Sequence, residues 1–287
     1  MYKGFFCVRG QVAWTTLRSD VGGVSFLSSI PMAKPITEEI MGTAKTVMLN
    51  WRDVDCYVSH ESAVIWAILT QQNEEHDDPN ACMRHISGFA RHFLQGHKNS
   101  DHHAHADAEQ FYYILSGGGE VLIGEERVAV GEGSVTYFPP GVPHQFFAED
   151  EEDGVEHLII TRPVDREGSA PRVTNWRDAT PTAGEHGAAV NWSLLEQLDA
   201  AESTTDQPCL LGFAGLARQA LVRGKATEVR QQDMEQVYYI LEGTGLMIAD
   251  GDVHRLSEGD TIYVPPGVKH QLVNDEYDGW LSYLVVC

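Results

Sequence analysis

The chain is written twice. Residues 110–145 (QFYYILSGGGEVLIGEERVAVGEGSVTYFPPGVPHQ) and 236–271 (QVYYILEGTGLMIADGDVHRLSEGDTIYVPPGVKHQ) align without a gap at an offset of 126, with 16 of 36 positions identical. Upstream, Asn50-Trp51-Arg52-Asp53 recurs as Asn175-Trp176-Arg177-Asp178 at an offset of 125, and His60 and Trp66 meet His186 and Trp192 at 126. A repeat on this period means one domain built twice. The copies run over residues 48–165 and 172–287, and the charged, Gly- and Pro-bearing segment Arg162 to Arg172 reads as the link between them. Residues 1–47 fall outside the repeat. Five basic and three acidic residues leave this extension at +2, so the duplicated body carries −24 of the net −22. An exchanged arm strand, a loose tail, or an early gene start ahead of Met48 would each explain it.

Both copies read as β. Phe111 to Leu115 is aromatic and β-branched, and Gly117-Gly118-Gly119 breaks it. Glu120 to Ile123 and Arg127 to Val130 flank Gly124-Glu125-Glu126, a hairpin pattern. Val135 to Phe138 ends at Pro139-Pro140-Gly141, and the second copy turns at Ala249-Asp250-Gly251-Asp252. Short strands at regular spacing build a sandwich or a barrel. Helix is expected only in limited stretches such as Trp192 to Ala201.

Composition narrows the function classes. The chain has 287 residues, 43% hydrophobic and 22% charged, which is a globular profile. Its acidity argues against nucleic-acid backbones and anionic lipid as partners. No apolar run reaches the ~18 residues of a membrane span. The first 20 residues lack the apolar core of a secretory signal. Five scattered cysteines (Cys7, Cys56, Cys82, Cys209, Cys287) contain no CxxC pair. That pattern points away from a disulfide framework or thiolate zinc site and toward a reducing cytoplasm.

Histidine is the informative residue. Eight of the 13 lie between His76 and His144. Residues i and i+2 of an extended strand share a face, so His103 and His105 can converge on one ion. Gln110 follows five residues after His105, and His144 follows Pro139-Pro140-Gly141-Val142-Pro143. Imidazoles with an amide or carboxylate oxygen suit Fe, Mn, Ni, Zn or Cu.

These residues resemble the cupin superfamily. Its first motif is matched by His103-x-His105-x4-Gln110-x6-Gly117, and its second by Gly133-x5-Pro139-x-Gly141-x2-His144, with Ala148 where the motif ends in Asn. With the duplication, the resemblance covers about 240 of 287 residues and is that of a bicupin. It implies an all-β fold of two tandem jelly-roll barrels with few short helices. It also implies one divalent transition metal in the N-terminal barrel, iron first among the candidates, held by His103, His105, Gln110 and His144. Glu109 competes with Gln110 on spacing from the histidines. Counting back from Gly117 favours Gln110, and strand alternation lets only one of the two face inward. A neutral amide leaves the site more positive than a carboxylate would, which favours an anionic substrate. The second copy keeps Gln236, His270 and the full motif Gly259-x5-Pro265-x-Gly267-x2-His270-x3-Asn274, but places Val229 and Gln231 opposite His103 and His105. One metal centre per chain is therefore expected.

Other residues carry two readings each. Tyr112 shares parity with Gln110 and would orient substrate or donate a proton. Alternatively it fills core, since Tyr238 repeats it. His97 and His92 would support the metal ligands or act as a general base, or else be hydrogen-bonded strand residues. His102, His85 and His76 read as loop residues. Trp51, Arg52, Asp53 and Trp66 recur in the metal-poor copy and read as fold or interface devices. Three functions remain open: a dioxygenase-type oxidoreductase, a non-redox lyase, isomerase or hydrolase, and a non-catalytic binding protein. The partner implied is a small oxygen-rich molecule, and the duplicated barrel would be either a monomer that mimics a cupin dimer or a homodimer formed through residues 1–47.

Overall fold

The computed structural model describes residues 45–72, 78–148, 152–184, 187–200, 203, 205, 208–276 and 279–287. Cys7, His76, His186 and the extension up to residue 44 lie outside the described residues, and so does the three-way reading of that extension. In the first half the strands are β1 (Val47–Asn50), β2 (Tyr57–Ser59), β3 (Ala63–Gln71), β4 (Ala81–Met83), β5 (Gly88–Leu94), β6 (Ala108–Ile123), β7 (Glu126–Gly131), β8 (Ser134–Phe138), β9 (His144–Phe147) and β10 (Val155–Pro163). In the second they are β11 (Arg172–Asn175), β12 (Thr182–Gly184), β13 (Ala189–Glu196), β14 (Gly215–Leu221), β15 (Gln236–Glu242), β16 (Gly245–Ala249), β17 (Asp252–Leu256), β18 (Asp260–Val264), β19 (His270–Val273) and β20 (Leu281–Val286).

Trp51–Asp53 forms a 3-10 turn, and there is no α-helix among the described residues. Of the helix expected over Trp192 to Ala201, Trp192 to Glu196 is instead the C-terminal part of β13, bulged between Ser193 and Leu195 where it pairs with β14. Residues 197–200 follow as a bridge and a turn, and Ala201 lies outside the described residues. Cross-strand pairing and burial of Leu194 and Leu195 outweigh local helix preference there. Gly117-Gly118-Gly119 also behaves otherwise than expected. β6 runs through it, pairing with β8 and β10 before the glycines and with β7 and β9 after them. Gly117 sits at φ +71, and a Cβ there would lie 2.1 Å from the Gly154 carbonyl oxygen. In the second copy the same bend separates β15 from β16. Among the described residues no helix is long and apolar enough to cross a membrane. No disulfide joins Cys56, Cys82, Cys209 or Cys287.

The two barrels exchange their first strands. The larger sheet follows the order β11-β8-β6-β10-β5-β3-β2, and the other β1-β18-β15-β20-β14-β13-β12. Thus β1, which opens the first copy, pairs with β18 of the second from Val47↔Tyr263 to Asn50↔Asp260. Reciprocally, β11 pairs with β8 from Arg172↔Tyr137 to Asn175↔Ser134. The duplicated tetrapeptide locks each exchange. Asn50 donates to Asp260 at 2.8 Å, and Arg52 pairs with Glu258 at 2.7 Å. Trp51 lies against Gly259, where a Cβ would come within 2.6 Å of the indole. Trp176, Gly133, Arg177 and Glu132 repeat the arrangement on the other side. Arg91 stacks over Trp51, and Arg218 over Trp176, each at 4.1 Å. The tetrapeptide is thus an interface device.

Strand alternation divides β6 between two environments. Phe111 and Tyr113 join a core cluster shared by both halves, which includes Leu210, Phe213, Leu216, Tyr239 and Val286. Tyr112 and Ile114 face a smaller cluster inside the first barrel with Leu94, Val121, Phe138 and Phe146. Glu109, on the shared side, is fully buried. Its carboxylate accepts from the backbone N–H groups of Leu211, Gly212 and Phe213 at 2.7–2.8 Å and from the Tyr137 hydroxyl at 3.0 Å. Glu235 does the same for the N–H groups of Arg84, His85 and Ile86 at 2.7–2.9 Å. A buried carboxylate is tolerated only where donors replace its water, and each seam supplies three.

Candidate metal centre

The site forms where the chain entering β6 meets the start of β9. His103 bridges to His144, donating from its N–H at 3.2 Å and accepting at 2.8 Å. The His105 carbonyl accepts from Gly141 at 2.7 Å, so the Pro139-Pro140-Gly141 turn braces the histidine segment. Gln110, on β6, completes the group from the barrel floor. The ligand atoms of His103, His105 and His144 all lie within 4.8 Å of one another. Nitrogens about 2.1 Å from one ion are separated by about 3–4 Å, so small rotations bring the trio onto a common centre.

The chemistry of the donors fits an ion. His105 Nε2, His144 Nε2 and Gln110 Oε1 are buried and have no hydrogen-bond partner. Buried polar atoms are rarely left so, and three lone pairs in one place are what a cation satisfies. Second contacts set their orientation. His144 Nδ1 lies 3.0 Å from the Val142 carbonyl, which places the proton on Nδ1 and frees Nε2. The Gln110 amide nitrogen donates to Thr161 Oγ1 at 2.8 Å, which turns its oxygen toward the histidines. His103 Nδ1 lies 3.3 Å from the Asp101 carbonyl and 3.4 Å from its carboxylate. Burial pushes the His144 imidazole down to about 4 and lowers His105, so both are neutral, as a ligand must be.

A cavity of about 180 Å³ opens beside the trio, walled by β3, β5, β6 and β10. Tyr112 lies in its wall, with its ring 6.1 Å from His144, and burial raises its phenol well above the usual range. His92 also lines it. His97 does not. It is exposed at φ +62 just beyond β5, where its N–H donates to Ala148, so the candidate catalytic role at His97 is withdrawn. Sequence reasoning missed four residues here. Asp101 holds both His103 and His60, the latter at 2.8 Å. His60, at φ +49, stacks on His103 at 5.3 Å. His157 and Thr161 reach the cavity from β10. Parity within 155–163 would have shown their shared face had that strand been recognised.

The second barrel corrects the alignment. Arg230 bridges to His270 as His103 does to His144, and the Gln232 carbonyl accepts from Gly267 as that of His105 does from Gly141. The counterparts of His103 and His105 are therefore Arg230 and Gln232, not Val229 and Gln231. The second copy has lost one residue before Gln236, and a gap-free alignment cannot register that. Here the lone pairs are used internally. The Tyr238 hydroxyl donates to His270 Nε2 at 2.9 Å, and Gln236 donates to Cys287 Sγ at 3.3 Å. Arg230 hydrogen-bonds Tyr238, which puts a fixed cation where the first barrel gathers imidazoles.

A cupin-domain family model matches residues 91–160 and 218–287, one match in each barrel. The chain is a bicupin. Its fold matches those of solved bicupins. The putative glyoxylate-induced protein of Pseudomonas aeruginosa superposes with a TM-score of 0.69 at 15% identity, covering 89% of this bicupin and 92% of that chain. The E. coli protein Ylba gives 0.63 at 15%, covering 88% and 93%. Bacillus subtilis oxalate decarboxylase, in a deletion mutant, gives 0.63 at 16%, covering 83% and 76%. Another structure of that decarboxylase is described by its Mn(II) centres. An uncharacterised protein of Methanocaldococcus jannaschii is 50% identical over 40 residues, which is 14% of the bicupin and 32% of its own length. The bicupin thus spans about a third of that relative.

Proposed function

We propose that this bicupin is an enzyme with one divalent transition metal in its N-terminal barrel, acting on a small, oxygen-rich carboxylate. One observation carries the reading: the buried, unpartnered donor set of His105, His144 and Gln110 beside His103, with no counterpart in the second barrel. Gln110 is an uncharged amide, and burial keeps His105 and His144 neutral. The described residues lining the cavity include no Lys, Arg, Asp or Glu. With the Asp101 carboxylate beside His103 as the one contacting acid among the described residues, a divalent ion there would keep a net positive charge for its ligand to balance, which selects an anion. The Mn(II) decarboxylase with the same fold is consistent with such a ligand.

When bound, the ion would supply a Lewis-acidic and, for iron or manganese, redox-active contact for adjacent substrate oxygens. His103, His105, His144 and Gln110 would hold it. Asp101 fixes the ring of His103. Tyr112 remains protonated and would offer a hydrogen bond to substrate. Ile65, Ile159 and Phe146 exclude water from that wall. Four protein donors leave room for both substrate and O₂, so dioxygenase-type oxidation is the first reaction class. A non-redox lyase or isomerase is the second, favoured by the neutral imidazoles and phenol placed to move a proton.

Metal analysis tests the centre. About one equivalent of transition metal per chain is expected. His103→Ala and His105→Ala should abolish it, while Gln232→Ala leaves it intact. Two equivalents, or none after iron and manganese supplementation, would sink the assignment. O₂ uptake with small hydroxy and oxo acids separates oxidation from redox-neutral chemistry.

A further inference from the structure

Beyond the ligand trio, the first barrel buries two more histidines that the metal centre does not use. His92 on β5 and His157 on β10 are direct cross-strand neighbours with ring centroids 5.4 Å apart. They are 6% and 3% exposed and face the same cavity as Gln110 and Tyr112. Tyr112 stands between this pair and the centre, 5.2 Å from His157 and 6.1 Å from His144. His157 stacks flat on Phe146 at 5.3 Å, so its ring is fixed, yet its Nδ1 has no hydrogen-bond partner.

The second barrel shows what those positions look like when they serve only the fold. Tyr283 and Gln219 occupy the same register as His157 and His92. The Tyr283 hydroxyl donates to Gln219 Oε1 at 2.9 Å, and Gln219 Nε2 donates to Asn191 at 2.9 Å. Asn191 pairs opposite Gln219 as Ile65 pairs opposite His92. One barrel therefore closes a polar triad upon itself. The other replaces it with two imidazoles and an isoleucine and leaves a nitrogen unpaired in a cavity wall. An unpaired polar atom in that setting is costly unless something else meets it.

We propose that His92 and His157 form a second substrate subsite, which hydrogen-bonds an uncharged hydroxyl or carbonyl at the end of the substrate remote from the ion. This rests on the metal-centre reading and narrows its substrate class to hydroxy or oxo monocarboxylates. The pair matches a neutral oxygen rather than a second carboxylate. Burial pushes His157 down to about 3 and holds His92 well below the usual range, so both rings are neutral. A neutral imidazole offers one donor and one acceptor, the complement of a hydroxyl. No described Lys or Arg lines the cavity to neutralise a second acid group.

The test transplants the closed pair. In His92→Gln with His157→Tyr, both side chains are ones that the second barrel already accommodates at this register. His157→Phe, which keeps the stack on Phe146, serves as the second variant. Mn²⁺ affinity is read by equilibrium dialysis. Calorimetry on the Mn²⁺-loaded protein then compares glycerate with lactate and 2,4-dihydroxybutanoate with 2-hydroxybutanoate. In the wild type at least one hydroxylated acid should bind about tenfold more tightly than its deoxy partner. Both variants should erase that gap while keeping Mn²⁺ affinity within about threefold. A gap absent from both wild-type pairs, or surviving in the variants, would overturn the subsite. Loss of Mn²⁺ in the variants alone would overturn it in favour of a role for the pair in supporting the ion. A wild type that holds no Mn²⁺ would instead overturn the metal-centre reading, and the proposed ligand with it.

Discussion

Glu109 and Gln110 are neighbours in sequence and face opposite ways. Alternation along β6 sends the carboxylate into the seam between the barrels and the amide to the histidines. Spacing favoured Gln110, but the use of Glu109 was not legible, because its donors sit about a hundred residues downstream. The charge at position 110 should matter. Gln110→Glu is expected to tighten Mn²⁺ by about tenfold, worth about 1.4 kcal/mol, and to weaken binding of small carboxylates. Parallel metal and ligand titrations would check this, and equal affinities would contradict it. The buried imidazoles also set a pH dependence. His144 titrates at about 4 and His157 at about 3 in the folded chain, against ~6.5 unfolded. Between those values the unfolded chain binds more protons. Metal-free protein should therefore lose stability as pH falls from ~6.5 toward 4, by up to ~1.4 kcal/mol per pH unit for each ring. Urea midpoints at pH 7 and 5 measure the loss, and His157→Phe should make it shallower.

At the scale of elements, two devices position the site and neither contributes a ligand. The first is the exchange of β1 and β11, whose turns press an indole onto Gly259 and Gly133. At Gly133 a Cβ would fall 2.3 Å from Trp176 in a backbone at φ +81. Gly133→Ala should cost about 2–4 kcal/mol. Glu109→Ala strands three backbone donors and should cost about 3–5 kcal/mol. Both losses should appear in urea unfolding while the metal stoichiometry stays at one per chain. A loss of stoichiometry in Glu109→Ala would make the seam part of the site. The second device is the β-bulge where β10 meets β6, between Glu156 and His157. It recurs between β15 and β20. The bend is therefore a property of the fold, and only the residue carried there, His157 or Tyr283, differs between an open and a closed barrel.

At the scale of the molecule, the core shared by both halves runs from Ile68 to Val286. Neither copy can bury it alone, and each lacks its edge strand without the other. Residues 45–165 and 166–287 produced separately should aggregate, and together they should assemble into one complex, as size-exclusion chromatography would show. Stable, monomeric single halves would contradict the exchange. The sequence by itself determined the duplication and the β character, and its spacing marked out His103, His105 and His144, which the fold brings within 4.8 Å of one another and the second copy does not repeat. Each of these is written in local spacing, parity and turn residues. Only the tertiary structure decided which barrel each opening strand joins, the slip that brings Arg230 and Gln232 opposite the histidines, and the convergence of His60, His92 and His157 on the cavity. Those depend on pairings between distant segments. Such pairings are set by which whole arrangement buries the most apolar surface with every polar group met, and no local pattern carries that information.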